Sequence, residues 1–329
     1  GTHKPEVSGS IPLPATKIFN CILMTYSCKS PILFHLWNRI DVVKKTFVEI
    51  KKTKPKILYL SSDGGNNPID IKKIKIVRNY VQNKIDWDCK VKKIYFKKNL
   101  GPKFALYKAI NNVFLKEKRL IIVDHDCECN NSFFRFSDEL LDLYENENKI
   151  KIISGNFICK KLIAFDHSYY FGLHPITFGW ATWRRAWREY DIHMKDYHSL
   201  KSFFWLLNFF KYNIVKTIYF NNKFKLTKAN KINTWDYQLI YSIWKNKGLI
   251  IRPTKNLSKH IGWGPQAYHG KYDDPLSDIK IEKMNFPLKH PKSLEINKKA
   301  DEIEYLRIRK LYFWKSLKFF IIKYLNKIF

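Results

Sequence analysis

Arg119-Leu-Ile-Ile-Val-Asp124-His125-Asp126 is the stretch on which the reading of this chain turns. Leu120 to Val123 is an unbroken aliphatic run, the pattern of a strand buried on both faces. It ends in two carboxylates one residue apart. In open α/β sheets, ligands sit beyond the carboxyl ends of the strands, which is where Asp124 and Asp126 fall. Paired hard oxygen donors suit Mg²⁺ or Mn²⁺, commonly held by one or two carboxylates plus substrate phosphates. The competing reading is a solvated acidic turn.

The sequence on either side alternates between two periodicities. Pro31 to Trp37, Lys56 to Ser61, Val91 to Phe96 and Ile150 to Gly155 read as strands. Between them lie helical patterns: Val43, Phe47 and Ile50 after Asp41, then 70–81. The clearest is the stripe Leu106, Ala109, Ile110, Val113 and Phe114. A further helix carries Phe133, Phe136, Leu140, Leu143 and Tyr144. Such β-α-β-α succession predicts an α/β fold with a mostly parallel sheet covered by helices. Beyond Gly155 the alternation gives way to irregular, aromatic-rich sequence.

Three loops follow strands in the first half: Asp63-Gly64, Asn99-Leu100-Gly101 and Asp124-His125-Asp126. Parallel strands would bring all three to one edge, where they can line a nucleotide cleft. An Asp there can accept hydrogen bonds from a base or ribose, and a Gly near a helix start lets backbone approach phosphate. Taken singly, Asp-Gly is also an ordinary turn.

Composition sets outer bounds. With 329 residues, 45% hydrophobic and 16% aromatic, the chain can bury a large core. A formal charge of +31, nearly all from lysine, favours polyanions or an anionic membrane surface. No RNP, zinc-finger or helix-turn-helix pattern supports a nucleic-acid partner, and none is expected. Six cysteines without CxxC spacing fit a reducing, cytoplasmic setting. No apolar run approaches the roughly 18 residues of a spanning helix. Residues 305–329 mix Leu, Ile, Phe, Tyr and Trp with lysines, which suits either an interfacial helix or one docked on the domain. Phe203 to Phe210 raises the same pair of readings.

An ordered series of motifs adds a resemblance: Pro31-Ile-Leu-Phe, Asn38-Arg39, Asp41, Lys54 to Tyr59, Asp63-Gly64, Asn99-Leu-Gly101 and Asp124-His-Asp126. It continues with Ile153 to Phe157, Gly179 to Trp187, Thr234-Trp-Asp-Tyr-Gln238, Asn256, Ile261 to Gly264 and His269. Over about residues 31 to 270 the chain resembles GT-A glycosyltransferases of the family-two type, and more narrowly the bacterial hemolysin-A-like sugar transferases. It departs from them in reading His125 between its acids, where a run of three acidic residues is common. It also has Gly65-Asn66 where Pro-Arg is common.

The resemblance implies a GT-A, Rossmann-like nucleotide-diphospho-sugar transferase fold and a nucleotide-sugar donor, UDP-sugar favoured. Asp63, Gly64, Asn99 and Gly101 would line the donor site, while Asp124 and Asp126 hold Mn²⁺ or Mg²⁺, with His269 as a further ligand. Composition and the resemblance together divide the chain into four stretches: 1–29 leader or tag and N-terminal extension, 30–126 donor half, 127–290 acceptor half and 291–329 a basic aromatic helical extension. Asp236 is the candidate general base of an inverting transfer, although Asn233 to Asp236 also reads as a capping box. Trp180, Trp183 and Trp187 are spaced for one side of a helix, as core or as a platform for an acceptor sugar. Arg184 and Arg185 could reach a phosphate or stay solvated. The expected acceptor is a glycan or lipid-linked glycan in surface polysaccharide synthesis, at the cytoplasmic face of the membrane. The alternatives are nucleotidyl transfer and a non-catalytic polyanion-binding module.

Overall fold

The computed structural model describes residues 26–159, 162–263 and 279–307. The first half alternates as the periodicity predicts: β1 (Ile32–Leu36), α1 (Ile40–Lys52), β2 (Ile57–Ser62), α2 (Pro68–Asn83), β3 (Lys90–Tyr95), α3 (Gly101–Phe114) and β4 (Arg119–Asp124). There follow β5 (Cys127–Cys129), α4 (Asn131–Leu143), β6 (Ile150–Ser154), β7 (Tyr169–Gly172), β8 (Trp180–Trp183) and α5 (Arg184–Trp187). Last come α6 (Ser199–Phe209), α7 (Ile214–Lys228), α8 (Asp236–Lys245), β9 (Leu249–Pro253) and β10 (Ser258–His260).

The large sheet has the order β3-β2-β1-β4-β8-β6-β9-β7. β3, β2, β1 and β4 are parallel, and β6 and β9 run the same way. Only β8 and β7 oppose them. The α/β architecture with a mostly parallel central sheet is therefore as expected. β10 pairs antiparallel with β5 in a separate small sheet.

Alternate side chains of β4 serve two cores. Ile121 and Val123 join Phe34, Val43, Phe47, Phe133 and Leu140 under α1 and α4. Leu120 and Ile122 join Leu33, Leu106, Ile110, Phe220 and Trp244 under α3, α7 and α8. With both faces packed and both edges paired, β4 can carry only apolar side chains until it leaves the sheet.

One expectation is corrected. Trp180 and Trp183 lie on β8, not on a helix, and Trp187 closes the short α5. Offsets of three and four arise here from a strand running straight into a helical turn. The two strand indoles therefore serve opposite faces: Trp183 belongs to the first core and donates to the Leu141 carbonyl, whereas Trp180 stacks on Trp235 in the second.

Helical residues 298–307 pack on the far edge of the sheet through a buried charge network. Arg252 of β9 and Glu304, each 0% exposed, pair at 2.5 and 3.0 Å. Tyr170 donates to the same Glu304 oxygen at 2.8 Å, and Asp301 accepts from the Leu173 amide. Removing one partner of a buried pair strands the other charge without solvent. Glu304→Ala should therefore lower stability by about 3–5 kcal/mol, whereas Arg252→Met with Glu304→Leu should recover most of it. Urea unfolding of the three proteins checks this, and a Glu304→Ala variant as stable as the parent would refute it.

Candidate active site at the carboxyl edge of β4

Asp124 is the last residue of β4 and stands in register with His35 of β1. Burial and the adjacent Asp126 carboxylate push the Asp124 carboxyl up to about 8. Asp126 behaves in the opposite way. Burial works against its charge, but His125 and the hydrogen bond from His260 together hold it below the usual carboxylate range. His260 Nε2 lies 3.1 Å from Asp126 Oδ2 and His125 Nε2 lies 3.8 Å away. His35 does not supply a cation, because burial and His125 depress it to about 3, and its Nδ1 meets Ser61 Oγ at 2.7 Å.

These acids are thus two hard oxygen donors sharing a desolvated corner with too little positive charge beside them. That environment fits a divalent cation, since a cation would relieve the repulsion that raises Asp124. Among the described residues, no group of three or more His, Cys, Asp or Glu side chains is arranged to hold a metal. His269 lies outside the described residues. In sites with so few protein ligands, waters and substrate phosphates commonly supply the further oxygens.

His260 carried no assignment in the sequence, and its contact with Asp126 spans 134 positions. It is delivered by the β5–β10 pairing, which sets His260 opposite Cys127. The chain after β10 then folds over the acid. Gly262 approaches so closely that a Cβ there would lie 2.9 Å from Asp126 Cβ and Cγ. Arg39 fixes this approach by donating to the Gly262 carbonyl at 2.6 Å.

The other strand-end loops share the edge but use their groups differently. The Asp63 carboxylate accepts from the amides of Gly64 (2.8 Å), Leu100 (2.9 and 3.1 Å) and Gly101 (2.9 Å). Asn99 Nδ2 donates to the Gly64 carbonyl at 2.8 Å. A Cβ on Gly64 would lie 2.8 Å from the Asn99 nitrogen, so glycine is required where the two loops touch. Gly101 has a φ of +75°, where glycine is favoured. Asp63, Gly64, Asn99 and Gly101 therefore lock two loops together beside α3, with the Asp63 oxygens directed at backbone.

Asp236 opens α8. α8 joins β9 through the short link Asn246 to Gly248, and β9 runs parallel to β6 and β4. A helix packed back on such a strand starts at the strands' carboxyl edge, the edge of Asp124. Trp235 agrees with this, because it stacks on Trp180, whose register partner is Ile122. Thr234 Oγ1 and the Tyr237 amide (2.8 Å) both donate to Asp236 Oδ1. Among the described residues, Oδ2 has no donor.

Trp180 and Trp183 are 0% and 1% exposed, so neither offers a face to a sugar. Arg184 and Arg185 lie at the opposite edge, because β8 is antiparallel and Trp183 pairs with Arg119, the first residue of β4. That edge is roughly 17 Å from Asp124 at strand rise. Arg184 donates to the Glu117 carbonyl, and Arg185 to those of Tyr144, Glu145 and Ile150. Their guanidinium groups close the bottom of the sheet and cannot meet a phosphate held at Asp124.

No family model and no curated protein matches the chain. Among solved structures, it is similar to a mannosyltransferase from Pyrobaculum calidifontis in complex with GDP-Man and Mn²⁺, at 11% identity and a TM-score of 0.35, covering 48% of this chain and 45% of that one. It is similar also to TarS residues 1–349 from S. aureus, at 12% identity and 0.35, covering 50% and 49%. A third is glucosyl-3-phosphoglycerate synthase from Mycobacterium tuberculosis with Mn²⁺, UDP and glucosyl-3-phosphoglycerate, at 10% and 0.32, covering 48% and 57%. The chain spans about half the length of these proteins.

Two outcomes follow from the geometry. If Asp124 and Asp126 hold a cation, it must displace the proton on Asp124, so Mn²⁺ affinity should rise with pH up to about 8 and level off above it. Asp124→Asn should flatten that dependence, as titration calorimetry across pH would show. Separately, Gly262→Ala should push Asp126 aside and weaken Mn²⁺ binding about tenfold or more, the usual effect of disturbing support around a ligand. Unchanged affinity in that variant would mean that the loop yields instead.

Proposed function

We propose that the chain is a metal-dependent glycosyltransferase that moves a sugar from a nucleotide-diphosphate donor, a UDP-sugar first, to a glycan or lipid-linked acceptor with inversion. The observation that carries this reading is the half-buried Asp124/Asp126 pair at the end of β4, with Asp236 presented at the same sheet edge. Asp124 and Asp126 would hold the cation, which when bound neutralises charge on the departing diphosphate. Asp236 is suited to general-base work. Its Oδ1 is fixed by Thr234 and Tyr237, leaving Oδ2 to take the acceptor hydroxyl proton. As that proton leaves, the hydroxyl oxygen forms a bond to the anomeric carbon, the bond to the diphosphate oxygen breaks, and positive charge develops on the sugar ring. Asp63 supports donor binding indirectly, by holding the Gly64 and Leu100 loops in place. A cytoplasmic, membrane-peripheral setting for surface-glycan synthesis is part of the same proposal.

The test has two arms. Thermal shifts with UDP-, GDP-, dTDP- and CMP-sugars, with and without Mn²⁺, should single out one nucleotide that stabilises the protein only with metal. Asp236→Asn should then lower turnover by about two to four orders of magnitude with donor affinity nearly unchanged. A variant that loses stability but keeps its specific activity would make Asp236 a helix-start residue only. Release of pyrophosphate without sugar transfer would replace the reading with nucleotidyl transfer.

A further inference from the structure

The helical hairpin α6–α7 carries a surface that the fold does not use. Its inner side is fully employed: Leu206, Phe220 and Phe224 are buried in the second core, with Phe220 set 4.6 Å from Trp244. Its outer side is apolar as well. Leu200 and Phe204 are 71% and 59% exposed, one helical turn apart on α6. Ile214, Val215 and Ile218 at the start of α7 are 47%, 46% and 56% exposed. The turn between them holds Lys211 and Tyr212 in left-handed backbone (φ 50° and 64°), a conformation such residues adopt at a cost, and Tyr212 is 76% exposed.

Charge tells what covers this face. From Tyr197 to Trp235 the sequence has seven lysines and no acidic residue. Lys201 and Lys211 are exposed beside the apolar side chains. Exposed aliphatic and aromatic groups with exposed lysines near them, on a hairpin whose own sequence has no acid, match an anionic lipid surface, where apolar groups settle among headgroups and lysines meet phosphates. The helix at 298–307 packs on the same hairpin, since Lys216 of α7 pairs with Glu302 and lies 4.3 Å from the Tyr305 ring centre. The chain runs on from there into 308–329, again basic, aromatic and free of acids.

We infer that the outer face of the α6–α7 hairpin is a membrane-contact surface that seats the protein on an anionic bilayer. It concerns a surface apart from the proposed catalytic groups. It deepens the membrane-peripheral setting proposed above; vesicle binding is read without donor or acceptor, so its failure would remove that setting while leaving the proposed reaction to its own test.

Sedimentation of the full chain with phosphatidylcholine vesicles, with and without phosphatidylglycerol, tests the inference. Binding should require phosphatidylglycerol and be released by high salt. Phe204→Ser, Ile214→Ser and Ile218→Ser combined should weaken partition about tenfold or more. Lys201→Glu with Lys211→Glu should weaken it by about fivefold per lysine or more. The lysine pair is exposed and carries the test alone if the triple variant fails to fold. Unchanged partition in the lysine pair, or in a folded triple variant, would overturn the inference. So would a dimer in ultracentrifugation that these variants abolish while no vesicle binding occurs, or retention of a short DNA duplex with no preference for anionic vesicles.

Discussion

The enclosure of β4 governs the rest of the structure. β1 and β8 occupy its two edges, and apolar side chains from α1, α3 and α4 cover its faces. A strand so placed cannot offer a polar side chain until it emerges, because an unpaired buried charge is costly. Asp124 is the first residue able to do so, at the border where solvation is already poor. The raised pKa of Asp124 and the depressed one of Asp126 are consequences of that position and of the histidine delivered by β10.

Equivalent positions at the ends of parallel strands meet different fates. Asp63 directly follows β2, whereas Asp124 ends β4, and backbone amides from two loops converge on the Asp63 oxygens. A carboxylate satisfied in this way fixes loop geometry and has little charge left to offer a ligand. Among the described residues, Asp124 and Asp126 have no comparable set of backbone donors; His125 and His260 favour charge on Asp126, while burial and its neighbour's charge push the Asp124 carboxyl up. The contrast separates a loop-fixing acid from the pair proposed to hold a cation, at one edge of one sheet.

The first half of the fold was legible because its signals are local. The stripe on α3, the aliphatic run of β4 and the Asp-Gly turn each lie within one element or its flank, and each element occurs as its periodicity predicts. The second half was not. β8 is enclosed like a core helix, so Trp180, Ala181, Trp183 and Trp187 show no alternation to distinguish strand from helix. Arg184 and Arg185 looked like phosphate ligands because guanidinium groups serve backbone carbonyls equally well, and only the antiparallel sense of β8 reveals which edge they occupy. His260 and Gly262 reach Asp126 through tertiary pairing, for which no local pattern exists. His269 and residues beyond 307 lie outside the described structure.

The formal charge of +31 acquires meaning only once the interior is known. Among the described residues, the buried acids Asp63, Asp138, Asp301 and Glu304 are matched in number by the buried cations Lys103, Lys151, Lys216 and Arg252. The described core is therefore near neutral, and the remaining charges of the described residues lie outside it, where they act on polyanions within about a Debye length. Long-range attraction of that kind cannot choose between nucleic acid, an anionic glycan and a membrane. Selection needs short-range contacts, and these differ around the molecule. Near Asp124 the contacts are hard oxygens in a desolvated corner, which favour a cation carrying a compact phosphate. On α6–α7 they are exposed Leu, Phe, Ile and Val side chains with exposed lysines near them in sequence, the chemistry on which the inferred membrane contact rests. On the proposed reading, one excess of charge would gather anionic partners and local chemistry would sort them to separate faces.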